Sequence, residues 1–227
     1  MNNITDLKKN YFDNNYYYSN KNFLFKHSTT NLLNTLDLIK INFRKILIIQ
    51  PGIDITCFKK NKINDYKEIS YLDIEKQKEN YDLIISNFSL HLEVAIEPLK
   101  YLNILNSILN KDGLLIISFL NDLSFRTFKK TLIEIDEYIF NGAYQRFGPF
   151  VNPQEIINLM SGNKFSEIVA TNDCLDVYYK NLKNLRKDIK LTATGNYNLE
   201  KAKFNRNLLI KLQTIFEKLN NNGKCMP

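Results

Sequence analysis

The chain has 227 residues, of which 44% are hydrophobic, and its 31 Lys and Arg against 24 Asp and Glu leave a formal net charge of +7. That is material for one buried core and a tight fit for two. The most apolar windows, 46–49, 83–85 and 114–120, fall far short of the roughly 20 residues of a bilayer-spanning helix, so no membrane span is expected. Residues 1–10 lack the apolar stretch of a secretory signal, which points to a cytoplasmic protein. Cys57, Cys174 and Cys225 are widely spaced and the histidines are His27 and His91, so no metal-ligand rhythm is present and no metal is expected. The positive charge is scattered from end to end, so no nucleic-acid partner is expected. Lys183, Arg186, Lys187 and Lys190 form the one basic run that could dock an acidic partner.

In chain order, residues 2–40 mix polar and aromatic side chains, then show Leu32, Leu33, Leu36 and Ile39 at helical spacing, as in an N-terminal helical lid. Residues 43–50 hold a continuous apolar run ended by Pro51-Gly52, the pattern of a buried strand entering a turn. Residues 53–80 are polar and weakly periodic except for a short apolar-alternating piece at 69–74. A second buried strand is expected at 81–87, and a helix at 99–109 with Leu99, Leu102, Leu105, Ile108 and Leu109 on one face. Asn110-Lys111-Asp112-Gly113 should stop that helix, with Gly113 as a left-handed cap, before a third buried strand at 114–120. Strand, helix and strand in this order favour a right-handed parallel crossover, so the fold class is α/β. Further helices are expected at 125–139, at 153–160 with Pro153 in the first position, and at 205–219, with a late strand at 168–179. Nothing divides these elements: one domain over 1–227, comprising a lid (1–42), a core (43–120) and a region of insert and C-terminal helices (121–227).

Open parallel sheets bind ligands beyond the carboxyl ends of their strands. The places to search are therefore 50–54, 87–91 and the loop after Phe119. Asn87, Ser89 and His91 supply an amide, a hydroxyl and an imidazole on one loop. Equally, Asn87 could cap the next helix and His91 could be a surface histidine.

Tyr81-Asp82-Leu83-Ile84-Ile85-Ser86-Asn87-Phe88-Ser89-Leu90-His91-Leu92, followed by Leu109-Asn110-Lys111-Asp112-Gly113-Leu114-Leu115-Ile116-Ile117-Ser118-Phe119-Leu120, resembles the fourth strand, post-strand loop and fifth strand of class I S-adenosylmethionine-dependent methyltransferases. Within them the chain is most similar to the malonyl-acyl carrier protein O-methyltransferases of biotin synthesis and to the related mitochondrial complex I assembly factors that hydroxylate an arginine. Arg146-Phe147, Pro149-Phe150, residues 152–156, Leu185-Arg186 and Thr194-Gly195-Asn196 resemble later parts of that family, and Phe12 with Tyr16, Tyr17 and Tyr18 resemble its N-terminal aromatics.

The resemblance implies a Rossmann-like, mostly parallel sheet, shortened after its first strand and lacking its last. Of the family's D-x-G-x-G-x-G loop only Gly52 matches, the interval 53–80 has room for about one strand-and-helix unit of roughly 30 residues, and the sequence ends at Gly223-Lys224-Cys225-Met226-Pro227, where the family continues into a final strand. By resemblance, Gly52, Asp73, Asn87, Ser89 and Leu90 would bind S-adenosylmethionine, while Tyr18, His91 and Arg146 would meet the substrate. The implied activity is methyl transfer to a carboxylate of an acyl carrier protein-bound malonyl-type group, with Lys183, Arg186 and Lys187 toward the acidic carrier. The alternatives are a catalytically degenerate scaffold or assembly factor, or an arginine hydroxylase acting on a respiratory complex I subunit.

Overall fold

The structure, a computed structural model, describes residues 22–49, 65–90, 98–146, 148, 150–192 and 205–221. Its elements in chain order are α1 (Phe23–Leu38), β1 (Ile46–Ile49), β2 (Tyr66–Ile69), a 3₁₀ helix (Tyr71–Lys76), β3 (Tyr81–Asn87), α2 (Pro98–Ile108), β4 (Leu109–Ser118), α3 (Arg126–Phe140), α4 (Pro153–Gly162), α5 (Leu182–Leu191) and α6 (Arg206–Asn221). The four strands form one parallel sheet in the order β2-β1-β3-β4. This is a shortened Rossmann-like α/β fold.

β1 and the middle of β3, Leu83 to Ile85, are apolar because both faces of the sheet are covered there. Ile46, Ile48, Leu83 and Ile85 point to one side, where Leu32, Leu33 and Leu36 of α1 close over them. Leu47, Ile49 and Ile84 point to the other, against Tyr101, Leu102, Leu105 and Ile108 of α2, Tyr71 and Ile74 of the 3₁₀ helix, and Ile156 of α4. A second apolar cluster lies in the C-terminal helices, where Phe128, Leu132 and Ile135 of α3 meet Leu182, Leu185 and Ile189 of α5 and Leu208, Leu212 and Phe216 of α6.

The hard-to-read interval 53–80 contains β2, paired with β1 from Ile46↔Tyr66 to Ile49↔Ile69. The apolar-alternating piece 69–74 is not an extended strand. It turns at Ser70, whose hydroxyl accepts from Leu72 N (3.3 Å), into the 3₁₀ helix, whose three-residue period buries Tyr71 and Ile74 together.

Three expectations are corrected. Gly113 is not the left-handed residue of the turn after α2. That conformation falls on Asp112, at φ +65°. The pairing of β3 with β4 steps from Tyr81↔Leu109 to Leu83↔Leu114, so residues 110–113 bulge out of the ladder. Glycine is required at 113 because a Cβ there would sit 2.8 Å from the carbonyl oxygen of Asn110. The strand expected at 114–120 begins at Leu109, ends at Ser118 and is half-buried, because among the described residues no strand pairs with its outer edge. Residues 168–179 form no strand: they run without regular structure, with Val169 86% and Tyr178 63% exposed. Their alternating apolar residues have no sheet edge to join.

Asp82 fastens the amino-terminal edge of the sheet. Its Oδ2 accepts from Arg44 N and Lys45 N (3.1 Å each) and its Oδ1 from Asn110 Nδ2 (2.7 Å). The Asn110 amide and these two backbone donors hold its carboxyl below the usual carboxylate range. Asp82→Ala should cost about 1.5–3 kcal/mol, the usual range for hydrogen bonds to a charged group. A depressed folded-state pKa contributes stability above the unfolded value near 3.9 and loses it as pH falls through the folded value. The gap between wild type and variant, measured by urea denaturation, should therefore close below about pH 4.

Candidate functional site

The strand order reverses between β1 and β3: the chain moves from β1 outward to β2, then returns to the other side of β1 for β3. In open parallel sheets this reversal opens a crevice at the carboxyl ends of the two strands. Ile49 of β1 lies level with Ile69 of β2 and Ser86 of β3, so the described part of the rim consists of the segments that follow Ile69 and Ser86.

The loop after β3 is held by its own side chains. Asn87, fully buried, accepts at Oδ1 from Ser28 Oγ (2.8 Å) and Ser118 Oγ (2.6 Å), and its amide lies 3.5 Å from Thr29 Oγ1. One residue thus joins the end of β3 to the end of β4 and to α1. Phe88 follows at φ +52°, a conformation in which a bulky residue is an outlier. It is held there by Phe88 N donating to Ser118 O (3.0 Å) and by an edge-to-face contact with Phe25 at 4.9 Å between centroids. Ser89 is fully buried and joins Ser86 Oγ and Tyr101 OH in a cluster of three hydroxyls, with Ser89 to Tyr101 at 3.0 Å and Ser86 to Tyr101 at 3.1 Å. Leu90 is fully buried in the α2-side core.

Asp73, in the 3₁₀ helix after β2, lies on the opposite side of β1 from this loop. Its side chain is 42% exposed and pairs with Lys76 at 2.6 Å. Of the anticipated ligand-facing side chains that are described, it is the carboxylate open to solvent. Gly52, Tyr18 and His91 lie outside the described residues.

Arg146 is not brought to that rim as an uncommitted cation. Its Nε lies 2.9 and 2.8 Å from the two carboxylate oxygens of Asp136, and its Nη2 lies 2.5 Å from Oδ1. Asp136 is fully buried and Arg146 11% exposed, with the Phe140 and Tyr144 rings each 5.7 Å from the guanidinium. The pair ties the segment after α3 back onto that helix.

Sequence reasoning missed two groups near the carboxyl end of β4. The first bridges α1 and residues 172–173: Asp173 Oδ2 lies 2.5 Å from His27 Nε2 and accepts from Asn31 Nδ2 at 2.7 Å, while Asn121 Nδ2 donates to Asn172 Oδ1 at 3.0 Å. The His27 and Asn31 contacts hold the Asp173 carboxyl below its usual range. The second is Lys129, whose ammonium donates to Asp122 O (2.6 Å) and stands 4.0 Å from the Phe150 ring centre. Burial pushes its pKa down, against the opposing charge of Asp122. The polar signal in α1, Ser28 and Thr29 within the buried stripe Phe25, Ser28, Thr29 and Leu32, marks the Asn87 junction rather than either of these groups. Among the described residues no group of three His, Cys, Asp or Glu side chains is placed to hold a metal ion, and no helix is long and apolar enough to cross a membrane.

No family model matches the sequence. A protein of Rickettsia prowazekii strain Madrid E that carries a provisional methyltransferase name is 27% identical over 154 residues, covering 64% of this chain. The match spans 66% of that relative, just under two thirds of its length. Among solved structures, an S-adenosylmethionine-dependent methyltransferase of Archaeoglobus fulgidus matches 86% of this chain and 87% of its own, at 17% identity and a TM-score of 0.40. One of Thermotoga maritima matches 74% of this chain and 82% of its own, at 14% identity and a TM-score of 0.39. An O-methyltransferase family protein of Burkholderia thailandensis matches 60% of this chain and 50% of its own, at 10% identity and a TM-score of 0.36.

Two stability experiments follow from this geometry. Asn87→Ala removes the shared acceptor of Ser28 and Ser118 and leaves both hydroxyls at a buried junction, at a cost of about 2–3 kcal/mol. Amide exchange should accelerate most in α1 if that junction holds the helix. Arg146→Ala leaves the buried Asp136 carboxylate uncompensated and should cost about 3–5 kcal/mol, whereas Asp136→Asn combined with Arg146→Met should recover part of that loss in thermal denaturation.

Proposed function

We propose that this chain is an S-adenosylmethionine-dependent methyltransferase with its cofactor crevice at the carboxyl ends of β1 and β3. The observation that carries this reading is the 27% identity over 154 residues to the Rickettsia protein named as a methyltransferase. The strand reversal between β1 and β3, the usual place for a nucleotide-like ligand in such sheets, supports it.

The described residues fit such a ligand in part. Asp73, in the 3₁₀ helix after β2 and paired with Lys76, offers a half-exposed anionic acceptor suited to a hydroxyl or amine donor of an adenosyl group. The loop 87–90 turns its side chains inward, so its contribution would come from backbone held in place by the Asn87 and Ser89 hydrogen bonds. Gly52 is the proposed point of close backbone approach after β1. When bound, S-adenosylmethionine supplies a methyl group already activated on a sulfonium. A carboxylate acceptor then needs no general base, and the protein's work is alignment and exclusion of water. The finer reading is a carboxylate of a malonyl group on an acyl carrier protein, with Tyr18 and His91 on the acceptor side. Arg146, tied to Asp136, would act there by ordering the segment after α3.

Isothermal titration should show S-adenosylmethionine binding to the full chain at sub-millimolar concentration. Asp73→Ala should weaken it by about 10- to 150-fold, the equivalent of one hydrogen bond to a charged group. No heat at millimolar cofactor would overturn the transferase reading and leave a binding scaffold. If the cofactor binds, incubation with malonyl-carrier protein should yield a methyl ester by mass spectrometry; cofactor binding without that product would reject the carrier substrate alone.

A further inference from the structure

The C-terminal helical layer has a surface that the crevice does not use. On α5, Leu182, Leu185 and Ile189 are buried against α3 and α6, Leu191 is buried as well, and the flank that carries residues 183, 186, 187 and 190 is exposed. These are Lys183, Arg186, Lys187 and Lys190. Their spacing of three, four and seven residues from Lys183 places them in one stripe about 10 Å long, at 1.5 Å of rise per residue. Among the described residues none of the four makes a close ion pair, and Lys187 acts on the charge of its neighbour Asp188. Asp188, the acid within α5, is half-buried beside Tyr179, and burial pushes its carboxyl up. Alongside runs a hollow of about 390 Å³ between α5 and α6, lined by Leu182, Arg186, Leu209, Ile210, Gln213 and Thr214. Ile210 is 56% exposed there. Glu217, one turn beyond, accepts from Gln213 Nε2 at 2.7 Å.

We propose that the stripe and the hollow together form a docking surface for an acidic amphipathic helix of a partner protein. The carboxylates of that helix would meet Lys183, Arg186, Lys187 and Lys190, and one or two of its apolar side chains would enter beside Ile210. Charge complementarity selects an acidic partner, and the apolar hollow selects a helix with a hydrophobic side. Nucleic acid fits less well: the stripe is short, and none of the residues lining the hollow offers an aromatic ring for base stacking. An anionic membrane fits less well because the apolar face of α5 is already spent inside the protein, whereas a membrane-binding helix keeps that face for lipid. The stripe lies in a different layer from the crevice, so peptide binding and cofactor binding can fail separately, and Lys183, Arg186 and Lys187 are the residues that the carrier-protein reading also turns toward an acidic partner.

The test uses the full chain and a fluorescein-labelled helical peptide with glutamates flanking a leucine stripe, followed by anisotropy at low salt. Binding should weaken about tenfold or more in Lys183→Glu with Lys187→Glu, and separately in Ile210→Ser, with thermal stability unchanged because all three side chains are exposed. Absence of peptide binding would overturn the proposal. So would equal binding of polyglutamate with no effect of Ile210→Ser, which would reduce the surface to bare charge attraction. Tighter binding of oligothymidylate or of phosphatidylserine vesicles, lost in the same lysine variant, would also overturn it by assigning the surface to another class of ligand.

Discussion

The side chain of Asn87 joins three parts of the chain at one buried point, and the arrangement of the carboxyl end of the sheet depends on it. Its carbonyl oxygen receives the hydroxyls of Ser28 from α1 and Ser118 from β4. A buried amide left without partners costs more than a satisfied one returns, so the three segments hold together or separate together. Phe88 can remain at positive φ because Ser118 and Phe25 hold it on either side of that junction. The result is that residues 87–90 are held by buried hydrogen bonds with their side chains facing inward, at the carboxyl end of β3, where α/β sheets receive their ligands.

The charged groups follow the same division between structural and accessible roles. Arg146 and Asp136 neutralise one another beneath two aromatic rings, and Asp82 gathers backbone donors at the opposite end of the sheet. Asp73 and the α5 stripe retain solvent contact. The positive charge that looked evenly scattered along the sequence becomes locally one-sided on α5, because the helical period sorts its residues by face.

Legibility varied with how local the physical cause was. The strand at 81–87, the helix at 99–109 and the helix start at 153 could be read because an apolar run, an apolar helical face, or a proline in the first position acts within a few residues. The strand β2 was obscured because Tyr-Lys-Glu-Ile alternates too briefly to stand out, and because its pairing with β1 is what makes it a strand. The stretch 168–179 failed in the opposite sense: its apolar alternation suits a strand, but among the described residues no edge is paired with it. Gly113 was noticed for the right residue and the wrong reason, since the need arises from the Asn110 carbonyl across a bulge.

The sequence by itself determined the α/β class, the parallel crossover from β3 to β4 and the loop at 87–90, because apolar period and turn chemistry are properties of neighbouring residues. Only the tertiary structure decided what those residues do. Ser28 and Asn87, His27 and Asp173, and Arg186 beside the hollow at Ile210 are separated along the chain or sorted by face. Their partners are chosen by how the layers pack, which no local pattern encodes.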